Sequence, residues 1–414
     1  MAGDDEDARA AAETAARRSY GRLVAYLSAR TRDVAGAEDA LADAFAAALE
    51  SWPRSGVPAN PEAWLLSVAR RRAIDTVRRR ITSVNATDHL KLLAEERADD
   101  SSDGAVPDER LRLMFACAHP ALDAGVHAPM ILQTVLGFDA AAIASAFLVS
   151  PATMSQRLVR AKSRIKQAGI PFRIPEPSEL AARLDGVLSA IYAAYAEGWV
   201  DAAGSDSRRR NLAGEAIWLG RLVTSLLPDE AEAPGLLSLM LFAEARRPAR
   251  RDADGDYVPL GEQDMERWDH ALIGEAEALL RRASSFGETG RFQLEAAVQS
   301  AHCARRYTGR TDWPAIRRLY DALSTLSASP VVAINRAVAV SNCDGPAAGL
   351  SELARIAGDP RLASYQPYWA ALADLEGRCG NFEAARAAFD RAIGLETDQA
   401  VRAFLARRRA AMIH

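Results

Sequence analysis

Residues 138–167 read FDAAAIASAFLVSPATMSQRLVRAKSRIKQ. Ile143 and Ala144 sit on a short helical segment, Phe147-Leu148-Val149 make a turn, and Ser150-Pro151 supplies the cap and first turn of a second helix. On that second helix Met154, Leu158, Ala161 and Ile165 recur at helical intervals as an apolar stripe, while Thr153, Gln156, Arg157, Arg160 and Arg164 line another face. From Ser150 to Gln167 there are five bases and no acid. The pattern predicts a helix-turn-helix whose second helix can lie in a DNA major groove. Arg and Gln can match guanine and adenine edges bidentately, and the remaining cations, Lys162 among them, can hold phosphates. The competing reading is an amphipathic surface helix with a solvated basic face, and the preceding turn and the absence of acids weigh against it.

Upstream, the apolar residues Leu23, Tyr26, Leu27, Val34, Leu41, Phe45 and Leu49 recur at helical spacing through residues 19–50. A Pro-rich break, WPRSGVPANP at 52–61, follows. Asn60-Pro61-Glu62 then opens a helix in the expected way: Asn caps, Pro needs no N–H in the first turn, and Glu meets the positive dipole end. That helix, PEAWLLSVARRRAIDTVRRR, turns Trp64, Leu65, Val68, Ile74 and Val77 toward a core and crowds Arg70, Arg71, Arg72, Arg78, Arg79 and Arg80 elsewhere. Residues 81–109 change character, with eight acids against Lys91 and Arg97, and predict a flexible acidic linker with at most a short helix near Leu90–Glu96.

Global composition excludes more than it identifies. The 414 residues are 49% hydrophobic with a net charge of −4, so a nucleic-acid surface must be a local patch on an acidic body. Lysine occurs only at 91, 162 and 166, so nearly all of the 51 bases are arginine, and counting arginines overstates a case for DNA binding. Cys117, Cys303, Cys343 and Cys379 are too dispersed for a CxxC pair, which argues against a disulfide framework or structural zinc and for reduced thiols. The six histidines, at 89, 119, 127, 270, 302 and 414, form no ligand spacing, and no Gly-rich phosphate loop or GxSxG motif occurs, so neither an enzyme nor a cofactor is expected. No apolar run reaches the length needed to span a bilayer and the start is acidic, so the expected site is the cytoplasm, with no membrane partner.

A second Pro-rich joint, IPFRIPEPSE at 170–179, precedes a long stretch that alternates helical periods with short Gly, Pro and Asp breaks. Near its end Trp369, Leu372, Ala373, Gly380, Ala385, Phe389 and Ala392 stand at the spacings of a tetratricopeptide repeat, where small residues let two antiparallel helices close around an aromatic plug. Residues 330–356 match more weakly. A helical-repeat array is expected, with a generic helical bundle as the alternative.

Taken in order, these blocks resemble an extracytoplasmic-function sigma factor with a long tetratricopeptide-like C-terminal extension. GAEDALADAFAAALE at 36–50 is similar to the sigma region 2 helix that docks on core RNA polymerase, and the resemblance implies that Asp39, Asp43 and Phe45 make that contact. An ordinary solvated face is the other reading of those acids. PEAWLLSVARRRAIDTVRRR at 61–80 resembles the helix that opens and reads the minus-ten element, implying Asn60, Arg70, Arg71, Arg72, Arg78 and Arg79 as promoter contacts; Asn60 reads equally well as a helix cap. PATMSQRLVRAKSRI at 151–165 resembles the region 4 helix that reads the minus-thirty-five element, implying Thr153, Gln156, Arg157, Arg160, Lys162 and Arg164. Two positions depart from the family pattern: Leu148 stands where many sigma turns place Gly, and Ala142 replaces a frequently acidic residue.

The resemblance implies an all-α chain in five parts: region 2 at 1–80, the acidic linker at 81–109, the region 4 helix-turn-helix at 110–169, the joint at 170–179 and a helical extension at 180–414. It implies a non-catalytic transcription-initiation subunit whose partners are core RNA polymerase and promoter DNA, with a protein or ligand partner for the extension. A helix-turn-helix regulator with a helical sensor domain is the alternative, and it leaves the region 2 blocks unexplained.

Overall fold

The computed structural model describes residues 2–81, 108–147, 149–199 and 207–412. Among them the fold is all-α, as the periodicity predicts: no strand forms, and one isolated bridge pairs Arg251 with Tyr257. No helix of the described residues is long and apolar enough to cross a membrane. The chain divides into two compact units, residues 1–199 with 207–216 and residues 217–414 with 200–206.

The first unit begins with α1 (Ala2–Thr31), α2 (Val34–Ser55) and α3 (Pro61–Ile81). The helical period through residues 19–50 is broken once, at Arg32, whose φ of 53° takes the backbone out of the helix. Asp33 then restarts it by accepting the Gly36 N–H at 3.1 Å. Ala37, Ala40, Ala44 and Ala48 are buried along α2, a stripe of small side chains that lets neighbouring helices come close. Trp52, buried, meets Trp64 edge-on at 5.4 Å between ring centroids. The buried positions of α3 are Leu65, Leu66 and Ala69, whereas Trp64, Val68 and Ile74 are half-buried, so the core face is rotated from the expected one; the side chain of Val77 lies outside the described residues.

The remaining elements of this unit are α4 (Arg110–Cys117), α5 (Ala124–Leu136), α6 (Ala140–Ala146), α7 (Pro151–Gln167) and α8 (Pro177–Trp199). Three begin with a side-chain cap: Asp123 accepts Gly125 N, Asp139 accepts Ala142 N, and Ser150, as the sequence predicts, accepts Thr153 N. Each satisfies an N–H that the first helical turn leaves without an intrahelical partner. The joint at 170–179 is not where the compact units divide. α8 packs back on α4 and α5, burying Leu184, Val187, Leu188 and Ile191. That apolar face has its complement in the first unit, which is why the division falls beyond Trp199. Residues 82–107, which include the expected short helix near 90–96, and Leu148 lie outside the described residues.

Helix α9 (Ser207–Leu226) belongs to the first unit through Ala216 and to the second from Ile217. The second unit continues with α10 (Glu232–Ala245), α11 (His270–Ser284), α12 (Arg291–Cys303), the single turn α13 (Arg305–Thr308), α14 (Trp313–Leu326), α15 (Pro330–Asp344), α16 (Pro346–Ile356), α17 (Gln366–Arg378), α18 (Phe382–Leu395) and α19 (Gln399–Ala410). Its hub is α10, buried nearly all round and packed on α11 and α12. The Glu232 carboxylate accepts the N–H groups of Phe292 at 2.8 Å and Gln293 at 3.2 Å, so a carboxylate from α10 caps α12. The loop between α10 and α11 is held by Arg305, which donates to the carbonyls of Gly261 and Gln263 at 2.8 Å each and lies over the Trp268 ring. Toward the C-terminus, α17 and α18 form a close pair with Ala373, Ala385, Phe389 and Ala392 buried between them, while Trp369 and Leu372 are half-buried.

His302, on α12, meets Trp313 edge-on at 5.6 Å. Burial, with the Arg246 and Arg305 cations adding to it, lowers its pKa to about 4. The folded chain therefore keeps a neutral imidazole where the unfolded chain, with a pKa near 6.5, takes up a proton. This contribution is complete above about pH 6.5 and is lost as the pH falls through 4, an effect on the order of 3 kcal/mol. We expect His302→Phe, which keeps a ring against Trp313, to flatten stability between pH 6.5 and 4 relative to the parent in urea titrations; equal acid sensitivity of the two proteins would contradict a buried neutral histidine.

Candidate nucleic-acid interface

Helix α7 is built in two halves by its sequence. Met154, Leu158, Ala161 and Ile165 are all buried, and they hold the helix on α5 and α6. Thr153, Gln156, Arg157, Arg160 and Arg164 are exposed. At the first turn the Ser150 and Thr153 hydroxyls lie 2.8 Å apart, in addition to the Thr153 N–H bond to Ser150 Oγ at 3.2 Å. Arg160 donates to Gln156 Oε1 at 3.2 Å, which aligns a guanidinium and an amide on one exposed row. The arrangement offers cations and an amide on one exposed face, the donor set that base edges and phosphates accept.

Lys162 does not join that row. Its ammonium pairs with Glu38 of α2, and the two side chains retain only 11% and 15% exposure. One turn on, Lys166 pairs with Asp33 at 2.5 Å. Burial is the largest influence on Glu38 and raises its pKa, Lys162 opposing it. The sequence reading assigned Lys162 to the same cationic set as the arginines and passed over Glu38. The available signal was the rarity of lysine, since two of only three lysines stand on this helix.

On α3, Asn60 Oδ1 accepts the Ala63 N–H at 3.1 Å and so caps the helix. It also borders a cleft of about 690 Å³ with Ser19, Arg22, Glu62 and Arg110. Within it Glu62 receives both Arg22 and, at 3.3 Å, the Ser19 hydroxyl. Arg70 lies over the Tyr26 ring, 4.8 Å from its centroid, and donates to the Tyr26 hydroxyl; Arg30 approaches the same ring at 3.6 Å. Arg70 is thus packed on α1, whereas Arg71 and Arg72 are exposed. Arg78 and Arg79 fall on the last turns of α3, with side chains outside the described residues.

Along α2, Asp39 and Asp43 are exposed one turn apart, Phe45 is half-buried and Leu49 is 47% exposed. The four residues make a surface with acids at one end and apolar side chains at the other. On α4, burial pushes the Cys117 thiol up to about 12, so this cysteine is a neutral core residue that accompanies Thr134. Among the described residues no group of three or more His, Cys, Asp or Glu side chains converges as a metal site would require.

Residues 16–81 match the family Sigma-70 region 2, and residues 183–284 match a family of unknown function, DUF6596. The uncharacterized protein R00370 of Rhizobium meliloti (strain 1021) is 39% identical over 392 residues, spanning 94% of this chain and 91% of that protein. No solved structure matches the chain.

The cap on α7 makes a checkable prediction. Ser150→Ala removes the acceptor for Thr153 N, and a lost N-cap costs about 1 kcal/mol. We expect a correspondingly lower thermal midpoint and faster amide exchange confined to the first turn of α7. Unchanged exchange at Thr153 would show that another group caps this helix.

Proposed function

The chain belongs to the family of the Rhizobium meliloti protein and carries a sigma-70 region 2 domain at residues 16–81, and from that premise we propose that it is a sigma factor of the extracytoplasmic-function type. In this reading α2 docks on core RNA polymerase through Asp39, Asp43 and Phe45. Helix α3, with Asn60, Arg71, Arg72, Arg78 and Arg79, opens and reads the minus-ten element, and α7 reads the minus-thirty-five element through Thr153, Gln156, Arg157, Arg160 and Arg164. Opening DNA without ATP requires binding energy that favours the unpaired strand, and a cationic helix beside a cleft supplies it by holding phosphates and an extruded base. Arg70 orders α3 on α1 through Tyr26. The second unit is a tetratricopeptide-like extension that regulates the first in cis, and the protein works in the cytoplasm without a cofactor and without catalysis of its own.

The observation that carries the reading is the region 2 match over the very helices whose exposed faces are acidic on α2 and basic on α3, followed downstream by the capped, acid-free α7. A regulator that merely represses or activates needs α7 alone.

Run-off transcription with purified core polymerase tests it. Promoter-specific transcripts should depend on adding this protein, and reversing charge at Asp39 and Asp43 together should weaken core binding by about tenfold or more with helical content unchanged. Core polymerase that ignores the protein would leave only the regulator reading. Control in cis has its own test. A chain ending at Ala216 keeps α8, which packs on α4 and α5, and should differ from the full chain in transcript yield; identical yields would make the second unit an independent platform.

A further inference from the structure

The segment between α10 and α11 turns back on itself. Arg251 and Tyr257 form the isolated bridge, the Val258 N–H donates to the Arg250 carbonyl at 2.9 Å, and Gly255 stands near the tip with a φ of 85°, a conformation that strains any other residue. Asp252 Oδ1 accepts the Asp254 and Asp256 N–H groups at 3.0 and 2.8 Å, so residues 250–258 make a small hairpin that organises its own turn. Two paired strands alone are marginally stable in water. This pair is seated on α19, through ion pairs that span 147 and 151 residues of sequence. Arg251 pairs with Asp398, whose other carboxylate oxygen caps α19 at Ala400 and Val401. In the last turn of α19, Arg407 pairs with Asp256 at 3.0 Å, and between these ties Tyr257 meets Phe404 edge-on at 5.3 Å. The hairpin thus follows α19 from its N-cap to its final turn.

The end of the chain uses two faces. Val401, Leu405 and Met412 pack with Ala373 and Phe389 of the preceding helix pair. Phe404, Arg407, Arg408 and Ala411, at the i, i+3, i+4 and i+7 positions of one helical stripe, border the hairpin across a cleft of about 360 Å³. A terminal helix of a repeat array ordinarily turns a polar face to water. Here that face carries an aromatic ring and two guanidinium groups, and it receives an acidic segment that bears a tyrosine, DADGDY at 252–257. We propose that this stripe of α19 is a docking surface for an acidic peptide segment with an aromatic side chain, and that the hairpin is its built-in occupant. Arginine clusters that receive acidic motifs, with a pocket for one aromatic anchor, are a recurring mode of peptide capture. The two ion pairs of the hairpin differ in kind. At its base Arg251 and Asp398 retain 14% and 20% exposure, whereas at its tip Arg407 and Asp256 retain 55% and 46%. An exposed pair of that sort holds weakly, so the tip lifts from α19 while the base stays. A tethered occupant is present at an effective concentration on the order of millimolar, so a free segment of equal intrinsic affinity is largely kept out until the tip is released. The surface names the class of partner that the second unit takes, and its geometry does not depend on the sigma-factor reading.

A fluorescein-labelled peptide of residues 251–260, RDADGDYVPL, tests the surface on the full-length protein. Asp256→Ala with Tyr257→Ala removes the tip contacts and leaves α19 intact. By fluorescence anisotropy this released variant should bind the peptide at least about tenfold more tightly than the parent does. Adding Arg407→Glu with Arg408→Glu to the released variant, or replacing the tyrosine of the peptide by alanine, should remove most of that binding. In the parent, excess unlabelled peptide should displace the hairpin and speed amide hydrogen exchange at Asp252 and Val258; if the released variant fails to fold, this measurement decides, and exchange indifferent to the peptide overturns the proposal. Equal affinity of parent and released protein, binding to neither, or binding untouched by the charge reversal overturns the docking surface. A single-stranded oligonucleotide of similar length that binds the released variant as tightly as the peptide would make the stripe a phosphate-binding surface and overturn the peptide assignment. Each measurement reads binding without polymerase, so a failure of the sigma-factor reading leaves all of them in force.

Discussion

A helix crossing with no room for a side chain organises the first unit. Gly21 and the Val135 carbonyl bring the axes of α1 and α5 together at a distance that any Cβ would prevent. Through this contact the three helices of the region 2 block and helices α4 to α7 bury apolar surface in common, and α8 extends the same core. Close-packed interiors respond to a single added carbon with rotamer or backbone shifts, so such a crossing has few alternatives. Where α7 can lie relative to α2, and which of its cations meet solvent, follows from this contact.

Charge in this protein is divided by chemistry as well as by place. On α7 the arginines face outward and the lysines reach α2. A lysine ammonium is a compact point charge that fits against one carboxylate, whereas a guanidinium presents a planar fork suited to base edges and phosphates. Elsewhere arginine serves the fold: Arg305 binds two carbonyls in the second unit, and Arg336 bridges Asp321 and Glu352. Many aspartates likewise act as N-caps, among them Asp33, Asp123, Asp139, Asp269, Asp312 and Asp398. The abundance of Arg and Asp therefore reflects helix ends and helix contacts as much as any partner.

In the second unit, glycine again marks where helices touch. Gly349 of α16 lies against Ala337 and Ser341 of α15, and Gly290 leaves space for the Glu232 carboxylate that caps α12. Pairs of antiparallel helices with small residues at their crossings and one aromatic plug, Phe389 in the last, can be added in series because each pair contacts chiefly its neighbours.

Local chemistry was legible in the sequence. Periodicity and caps predicted α3 and α7 nearly to the residue, because an N-cap, a Pro in the first turn and an apolar stripe are properties of about twenty consecutive residues. The all-α class and the α17–α18 pair follow from the same short-range signals. What only the tertiary structure decided was pairing across distance: Arg70 on Tyr26, Lys162 on Glu38, α8 on α4 and α5, and the rotated core face of α3. Each depends on residues tens to more than a hundred positions apart, and an isolated helix carries no record of which neighbour its flank will meet. Exposed arginines and a lysine one turn away look alike in a cationic run; burial beside a carboxylate on another helix separates them.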